Sequence, residues 1–368
     1  MANTITTLDR DGDVGMHSSV TIGADGLGLI SYYDATNADL KVAHCSDAAC
    51  SSATITTLDS VFGTLGPYPS VTIGVDGLGL ISYYDGKLKV AHCDNVVCSS
   101  ANITTLGLDD RALAADGHAK YTSVAIGSDG LGLIVYDYRR LAHITDLKVA
   151  HCDNIECSSA TDHPYLETLL HSDGPYTSVT TGADGLGLIS YRGSEGFLKV
   201  AHCDNIECSS ANITNLSNLR AKHSSVTIGA DGLGLISYYA NHELKAAHCS
   251  DSACSSATLT TLDSEWRDIN NTGDLGNYSS VTIGADGLGL ISYYDATNAD
   301  LKVAHCSDAA CSSATTITLD SDEDVGMYTS VTIGADGLGL ISYYDATHGD
   351  LKVAHCANRF CTPNFRRR

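Results

Sequence analysis

Short apolar runs alternate with polar positions along nearly the whole chain, in the same order seven times. Ser19-Val20-Thr21-Ile22 alternates with period two, the mark of a strand with one buried face, and Asp25-Gly26 after it is a tight-turn signal. Leu27-Gly28-Leu29-Ile30-Ser31-Tyr32-Tyr33 reads as a second strand, in which Gly28 suggests a neighbouring backbone passing close by. Leu40-Lys41-Val42-Ala43-His44-Cys45 reads as a third, with Leu40, Val42 and His44 on one face and Lys41, Ala43 and Cys45 on the other. A fourth follows as Ala53-Thr54-Ile55-Thr56-Thr57-Leu58-Asp59.

The equivalent valines are Val20, Val71, Val124, Val179, Val226, Val281 and Val331, so the spacings are 51, 53, 55, 47, 55 and 50 residues. One such unit has too little core of its own, and a period near 50 marks units that stack to bury their faces as propeller blades. The expected fold is all-β, a seven-bladed β-propeller of four-stranded antiparallel blades beginning near residues 17, 68, 121, 176, 223, 278 and 328. The last unit ends at Cys361 and a short tail, without a fourth strand, while Asn3-Thr4-Ile5-Thr6-Thr7-Leu8-Asp9 matches the missing piece. Residues 3–9 are therefore expected to supply the outer strand of the last blade and close the ring, with residues 1–368 forming one domain.

Composition narrows the partners. Twenty-one Lys and Arg against 44 Asp and Glu give a net charge of −23, which argues against nucleic acid and repels anionic membrane surfaces. No run of 18 apolar residues is present, so no membrane insertion is expected. All 14 cysteines fall in C-x4-C pairs: Cys45/Cys50, Cys93/Cys98, Cys152/Cys157, Cys203/Cys208, Cys249/Cys254, Cys306/Cys311 and Cys356/Cys361. Each pair would face itself across a hairpin loop at a distance that a disulfide spans, whereas zinc would need four ligands from separate blades. Seven disulfides imply an oxidising compartment and hence a secreted, extracellular protein, with the signal peptide absent from this chain.

Comparing the units with one another separates two ends of the ring. The first and third hairpins barely vary and carry repeated aspartates such as Asp25 and Asp47. The second-to-third-strand loops and the links between units vary, and carry the arginines Arg10, Arg111, Arg139, Arg140, Arg192, Arg220 and Arg267 and the single tryptophan, Trp266. Loops on a rigid scaffold are where recognition usually resides.

The phrase Ile-Ser-Tyr-Tyr-Asp-Ala-Thr-Asn-Ala-Asp-Leu-Lys-Val-Ala, complete at 30–43 and 291–304 and nearly so at 341–354, resembles a repeat of secreted bacterial proteins, ISYYD-x-x-N-x-DLK-x-A. The resemblance implies a β-propeller loosely related to the sialidase-like superfamily, most of whose repeat-bearing members have no assigned activity. The S-x-D-x-G-x-x-W box of sialidases is missing, which weakens any carry-over of glycosidase chemistry.

Three residues before each repeat valine stands an aromatic: His17, Tyr68, Tyr121, Tyr176, His223, Tyr278 and Tyr328. These would form a ring at the loop-face mouth of a central channel. With the carboxylates Asp34, Asp85, Asp295 and Asp345 they offer flat apolar bodies and polar tips for stacking on a sugar and bonding its hydroxyls. The alternative is that these tyrosines, and those ending the second strands such as Tyr32, Tyr33, Tyr83 and Tyr84, wedge between blades, with hydroxyls on the next blade's backbone. The strand-three histidines, His44 and its six equivalents, share a face with Leu and Val and read as packing residues. The Asp-x-x-Asn-x-Asp loops (Asp34, Asn37, Asp39; Asp295, Asn298, Asp300) offer oxygens suited to calcium, and equally to turns.

No singular catalytic motif emerges. The expected function is a non-enzymatic binding module, with multivalent, lectin-like recognition of a glycan or cell-surface polymer on the loop face as the leading form. A sialidase-like hydrolase using loop-face arginines with Glu195, Glu243 or Glu265, and a structural surface protein without small ligand, are the alternatives.

Overall fold

The computed structural model describes residues 2–60, 68–106, 121–141, 144–163, 165–170, 176–264 and 274–362. Among them are 28 strands, numbered β1 to β28 in chain order, all paired antiparallel, and no helix. No helix of the described residues is therefore long and apolar enough to cross a membrane.

The basic unit is a meander. Strands β2 (Val14–Ile22), β3 (Gly28–Asp34), β4 (Asp39–Cys45) and β5 (Ala53–Ser60) pair in sequence order as one four-stranded sheet. The β2–β3 turn closes with Gly23 N–H on Leu27 O at 2.8 Å, and Gly26 takes the left-handed backbone (φ 81°) that the Asp-Gly signal anticipates.

All seven expected disulfides are formed: Cys45–Cys50, Cys93–Cys98, Cys152–Cys157, Cys203–Cys208, Cys249–Cys254, Cys306–Cys311 and Cys356–Cys361, with Cα atoms 4.5–4.9 Å apart. Their placement differs from the expectation that the two cysteines face each other across the hairpin. In register, Cys45 faces Ala53, Cys93 faces Ala101, Cys152 faces Ala160, Cys203 faces Ala211, Cys249 faces Ala257 and Cys306 faces Ala314. The second cysteine instead lies in the connecting loop, before any outer strand begins. Cys50, Cys98, Cys157, Cys208, Cys254, Cys311 and Cys361 all take left-handed backbone, with φ from 50° to 55°. Each donates its N–H to the carbonyl three residues back, on Asp47, Asn95, Asn154, Asn205, Asp251, Asp308 and Asn358 respectively, at 2.9–3.0 Å. The reason is reach: an extended chain of five residues spans about 17 Å, so a bridge at this separation needs the loop to curl back on itself.

The last sheet runs β1-β28-β27-β26, so the N-terminal β1 (Thr4–Asp9) pairs with the C-terminal β28 (Asp350–His355). Asn3 clamps the junction by donating to Cys361 O at 2.6 Å and accepting from Ala357 N–H at 2.8 Å.

Two units depart from the expected separate four-stranded sheets, leaving six sheets rather than seven. Between Val179 and Val226 the spacing is the shortest, and the outer strand runs straight on into the next inner strand. The resulting β18 (Ala211–Ile228) pairs with β17 (Phe197–Cys203) and then with β19 (Gly234–Ala240), fusing two units into one seven-stranded sheet. Elsewhere, β12 (Ile144–Cys152) pairs with two short outer strands, β13 (Ala160–Asp162) and β14 (Glu167–Leu170). The sequence between them contains Pro164, which has no N–H for a ladder.

The core lies between sheets. Leu29, Leu40 and Val42 of one unit bury against Val71, Ile81 and Tyr83 of the next. The second-strand glycine makes this contact possible: a Cβ on Gly79 would stand 2.8 Å from Cys93 Sγ and from Leu29 Cδ2 of the preceding unit. What approaches the glycine is thus a disulfide and a leucine methyl, not the backbone expected from the sequence.

Polar latches join the units at three depths. In the outer half, the first tyrosine of each Tyr-Tyr pair is fully buried, and in four units, at Tyr32, Tyr83, Tyr293 and Tyr343, it bonds to an aspartate ending the preceding unit's outer strand, a bond that Tyr238 does not make. Tyr32 Oη and Lys41 Nζ both meet Asp9 Oδ2, at 2.7 and 2.8 Å; Tyr83 and Lys89 meet Asp59, and Tyr343 and Lys352 meet Asp320. These tyrosines do wedge between units, but onto a side-chain carboxylate rather than backbone. Burial pushes the Asp9 carboxyl up, yet the bonds from Lys41 and Tyr32 outweigh it and hold the group below its usual range. At the middle depth, Ser18, Ser224 and Ser279 bond to the second-strand serines Ser342, Ser190 and Ser237 of the preceding unit. At the inner edge, each repeat valine donates its N–H to a serine of the preceding unit: Val71 to Ser19, Val124 to Ser70, Val179 to Ser123, Val226 to Ser178, Val281 to Ser225, Val331 to Ser280 and Val20 to Ser330, at 3.0–3.2 Å. This cycle of bonds returns to its start around a common axis.

Candidate functional site

Near the start of four inner strands the chain bulges: β2 slips register against β3 between Met16 and Ser19, and β18, β22 (Leu275–Ile283) and β26 (Val325–Ile333) slip likewise against their partners. At the equivalent position of six units, His17, Tyr68, Tyr176, His223, Tyr278 and Tyr328 take left-handed backbone with φ from 41° to 55°. Such a conformation is unusual for a bulky side chain and is strained by about 1–3 kcal/mol per residue. All seven aromatics come together around the axis. Neighbouring ring centroids lie 3.7–4.8 Å apart around the complete circuit, from His17 through Tyr68, Tyr121, Tyr176, His223, Tyr278 and Tyr328 back to His17. The interplanar angles of 33° to 60° are tilted arrangements, each contributing about 0.5–1.5 kcal/mol beyond burial.

The ring and the serines behind it line a depression of about 210 Å³ on the axis. Several of its polar groups are held neutral. Burial, reinforced by neighbouring phenols and Asp137, pushes the Tyr68 and Tyr121 hydroxyls well above the usual tyrosine range, and Tyr278 shifts the same way. Burial, then Lys222 and Arg192, pull His223 down to about 3. Because each ring packs against its neighbours in the circuit, the seven aromatics form one continuous lining rather than seven separate stacking platforms.

The carboxylates expected beside the ring do not join it. Asp34, Asp295 and Asp345 are buried in the β-turns that follow the second strands. Asp34 accepts from Asn37 N–H and Nδ2 at 2.9 Å, with Lys41 Nζ 3.5 Å away; Asp295 and Asp345 repeat the pattern with Asn298 and His348. Asp85 is tied to Lys89 at 2.9 Å. None of the four lines the depression. The reason is local: an aspartate opening a tight turn bonds the turn's own amides.

The remaining sequence expectations are dispersed. The seven strand-three histidines each place Nε2 2.8–3.0 Å from the turn aspartate of the same unit, as His44 does with Asp25, far from the ring's lining. Arg192 is buried beside the ring, Arg220 is exposed, and Glu243 is bonded to Lys245. Arg111, Glu265, Trp266 and Arg267, and the side chains of Arg139 and Arg140, lie outside the described residues.

Sequence reasoning missed the latches. Their signal was present: a Leu-Asp ending on four of the outer strands (Leu8-Asp9, Leu58-Asp59, Leu262-Asp263, Leu319-Asp320) with a lysine at a fixed place in the third strand. It also missed two defects. Ser31 Oγ is wholly buried without a partner, because the equivalent of the bonding hydroxyl is Pro69. Thr177 Oγ1 is buried without a partner, because Val135 stands where other units carry the second-strand serine.

No protein-family model matches the chain, and no curated protein matches it. Solved structures do. A polysaccharide lyase of family PL25, an ulvan lyase, shares 10% identity at a TM-score of 0.60 over 96% of this chain and 93% of its own. The α-L-arabinanase of Penicillium chrysogenum, complexed with arabinobiose, shares 12% at a TM-score of 0.57 over 96% and 97%. The Aleuria aurantia lectin, in complex with Fucα1-6GlcNAc, shares 11% at a TM-score of 0.53 over 83% and 96%. At these identities the likeness is one of fold, and the fold is that of the β-propellers of sialidase- and arabinanase-like proteins.

Proposed function

We propose that residues 1–368 form a single seven-bladed propeller of a secreted protein, and that it is a non-enzymatic module binding carbohydrate at the axial depression. The observation that carries this reading is the strained aromatic circuit. Six ring positions have φ values that glycine would adopt without penalty, yet none of the seven is glycine. Strain retained at one place on a rigid frame points to a site rather than to packing. Tyrosine supplies the mixed apolar and hydrogen-bonding surface that sugars require. The carbohydrate ligands named for the arabinanase and the lectin of similar fold agree with it.

One observation supports recognition over hydrolysis. Glycoside hydrolysis uses two carboxyl groups facing each other across the bond, about 5–9.5 Å apart. Here no carboxylate of the described residues lines the depression, and Asp34, Asp295 and Asp345 are committed to turn amides and lysines. The seven disulfides fit an extracellular setting.

A glycan array probed with the folded protein and with Tyr278→Ala tests the proposal. The expected result is binding to at least one glycan class that the variant loses while its circular-dichroism spectrum is unchanged. A folded protein that binds no glycan, or a variant that binds as well as the parent, would overturn it. Turnover in a glycoside screen would overturn the non-enzymatic part.

A further inference from the structure

The seven serines that accept the valine N–H groups also line the depression. A hydroxyl carries one proton and two lone pairs. The bond from the valine uses one lone pair and leaves the proton to be given. Among the described residues no acceptor takes it from any of the seven: Ser19, Ser225 and Ser280, like the rest, make only the accepted bond. These serines are half-exposed in the lining, so their protons are available to water or to a ligand. Seven donors therefore face one axis in search of acceptors.

Charge decides which acceptors suit them. Among the described residues no lysine, arginine, aspartate or glutamate is in the lining. Of the two imidazoles there, His223 is held neutral to about pH 3, so it brings no positive charge. The charges next outside act in both directions, Lys222 and Arg192 beside His223, Asp137 beside Tyr68 and Asp13 beside Tyr328. Around all of this the chain as a whole bears −23. An anion would gain hydrogen bonds but no counter-charge from a lysine or arginine in the described lining, and it would approach against that net negative field. A neutral polyol gains the same bonds without that opposition. Size adds a limit: about 210 Å³ is less than the roughly 300–1,000 Å³ of pockets that enclose drug-sized ligands, so the depression takes one sugar ring.

We infer that the serine crown makes the axial site selective for the neutral terminal ring of a glycan, entering end-on, over the corresponding acidic sugar. This rests on the carbohydrate reading above. The test is an array of matched oligosaccharides that differ only in their terminal residue, a neutral hexose or its uronic acid, read with the parent protein and with Ser225→Ala/Ser280→Ala. The expected result is at least tenfold stronger binding of the neutral member at low salt, with a weaker preference as salt rises. The double variant should lose about tenfold on the neutral member. Uronic members bound as well as or better than neutral ones would overturn the inference and leave the carbohydrate reading standing. A double variant that folds and binds both members as the parent does would show that the crown is not what selects. Binding of neither member by the folded parent would overturn both. The neutral-to-acidic ratio of the parent needs no variant, so a double variant that misfolds does not protect the inference.

Discussion

At the scale of single residues the structure makes predictions that its burial pattern alone would not. Tyr278 sits at φ 54°, where alanine is penalised and glycine is not. Both truncations lose the ring contacts, but Tyr278→Gly should retain about 1 kcal/mol more stability than Tyr278→Ala in urea denaturation. Equal stabilities would contradict the backbone assignment. A second comparison concerns the middle latch. Ser342 bonds to Ser18, whereas Ser31 in the equivalent position has no partner. Ser342→Ala should cost about 1 kcal/mol, while Ser31→Ala should be neutral or stabilising, because it removes a buried group that nothing satisfies. The ring positions were legible in the sequence from their fixed distance to the repeat valine. Their backbone conformation was not, because no glycine announces it. The second cysteine of each pair hid its left-handed backbone in the same way.

At the scale of strands, the account turns on carboxylates that each hold two partners. Asp320 receives both Tyr343 and Lys352 at 2.6 and 2.8 Å. Asp320→Ala would leave a lysine and a phenol buried unpaired, so a loss of about 3 kcal/mol is expected in thermal or urea unfolding. A loss under 1 kcal/mol would show that water reaches the latch. Strands were the most legible level. Period-two alternation, Asp-Gly turns and C-x4-C hairpins each have a local physical cause, and each recurs seven times. The fused β18 and the split β13 and β14 were less legible, since both depend on how a link runs between units. The turn aspartates misled for a different reason: in sequence, a carboxylate free for a ligand and one bonded to its own turn look alike.

At the scale of the molecule, titration should be asymmetric and traceable. Several of the 19 tyrosines, among them Tyr32, Tyr83 and Tyr121, are pushed above the normal range chiefly by burial. Their neutral form is favoured only in the folded state. Their contribution is thus complete below about pH 10 and is lost as pH rises beyond it. Absorbance at 295 nm should show a fraction of the tyrosines titrating near pH 10 and the rest only on unfolding. On the acid side His223 is the marked group. Its neutral form is favoured by folding, so stability falls as pH drops from about 6.5 towards 3. Replacing it with the ring's commoner residue, His223→Tyr, should remove that loss, raising stability at pH 5 relative to pH 8 by on the order of 1 kcal/mol. A pH-independent effect would contradict the neutral assignment. The closing contact is as specific: deleting residues 2–9 strips the partner strand of β28 and the carboxylate of Tyr32 and Lys41, and should abolish cooperative unfolding. The central claim is that a sevenfold repeat builds one site, on its axis, rather than seven around its rim. Its most direct test is the stoichiometry of glycan binding, read by native mass spectrometry with the oligosaccharide that binds best on the array. The account predicts one sugar per chain, abolished by Tyr278→Ala; several sugars per chain, or one that survives the substitution, would contradict it.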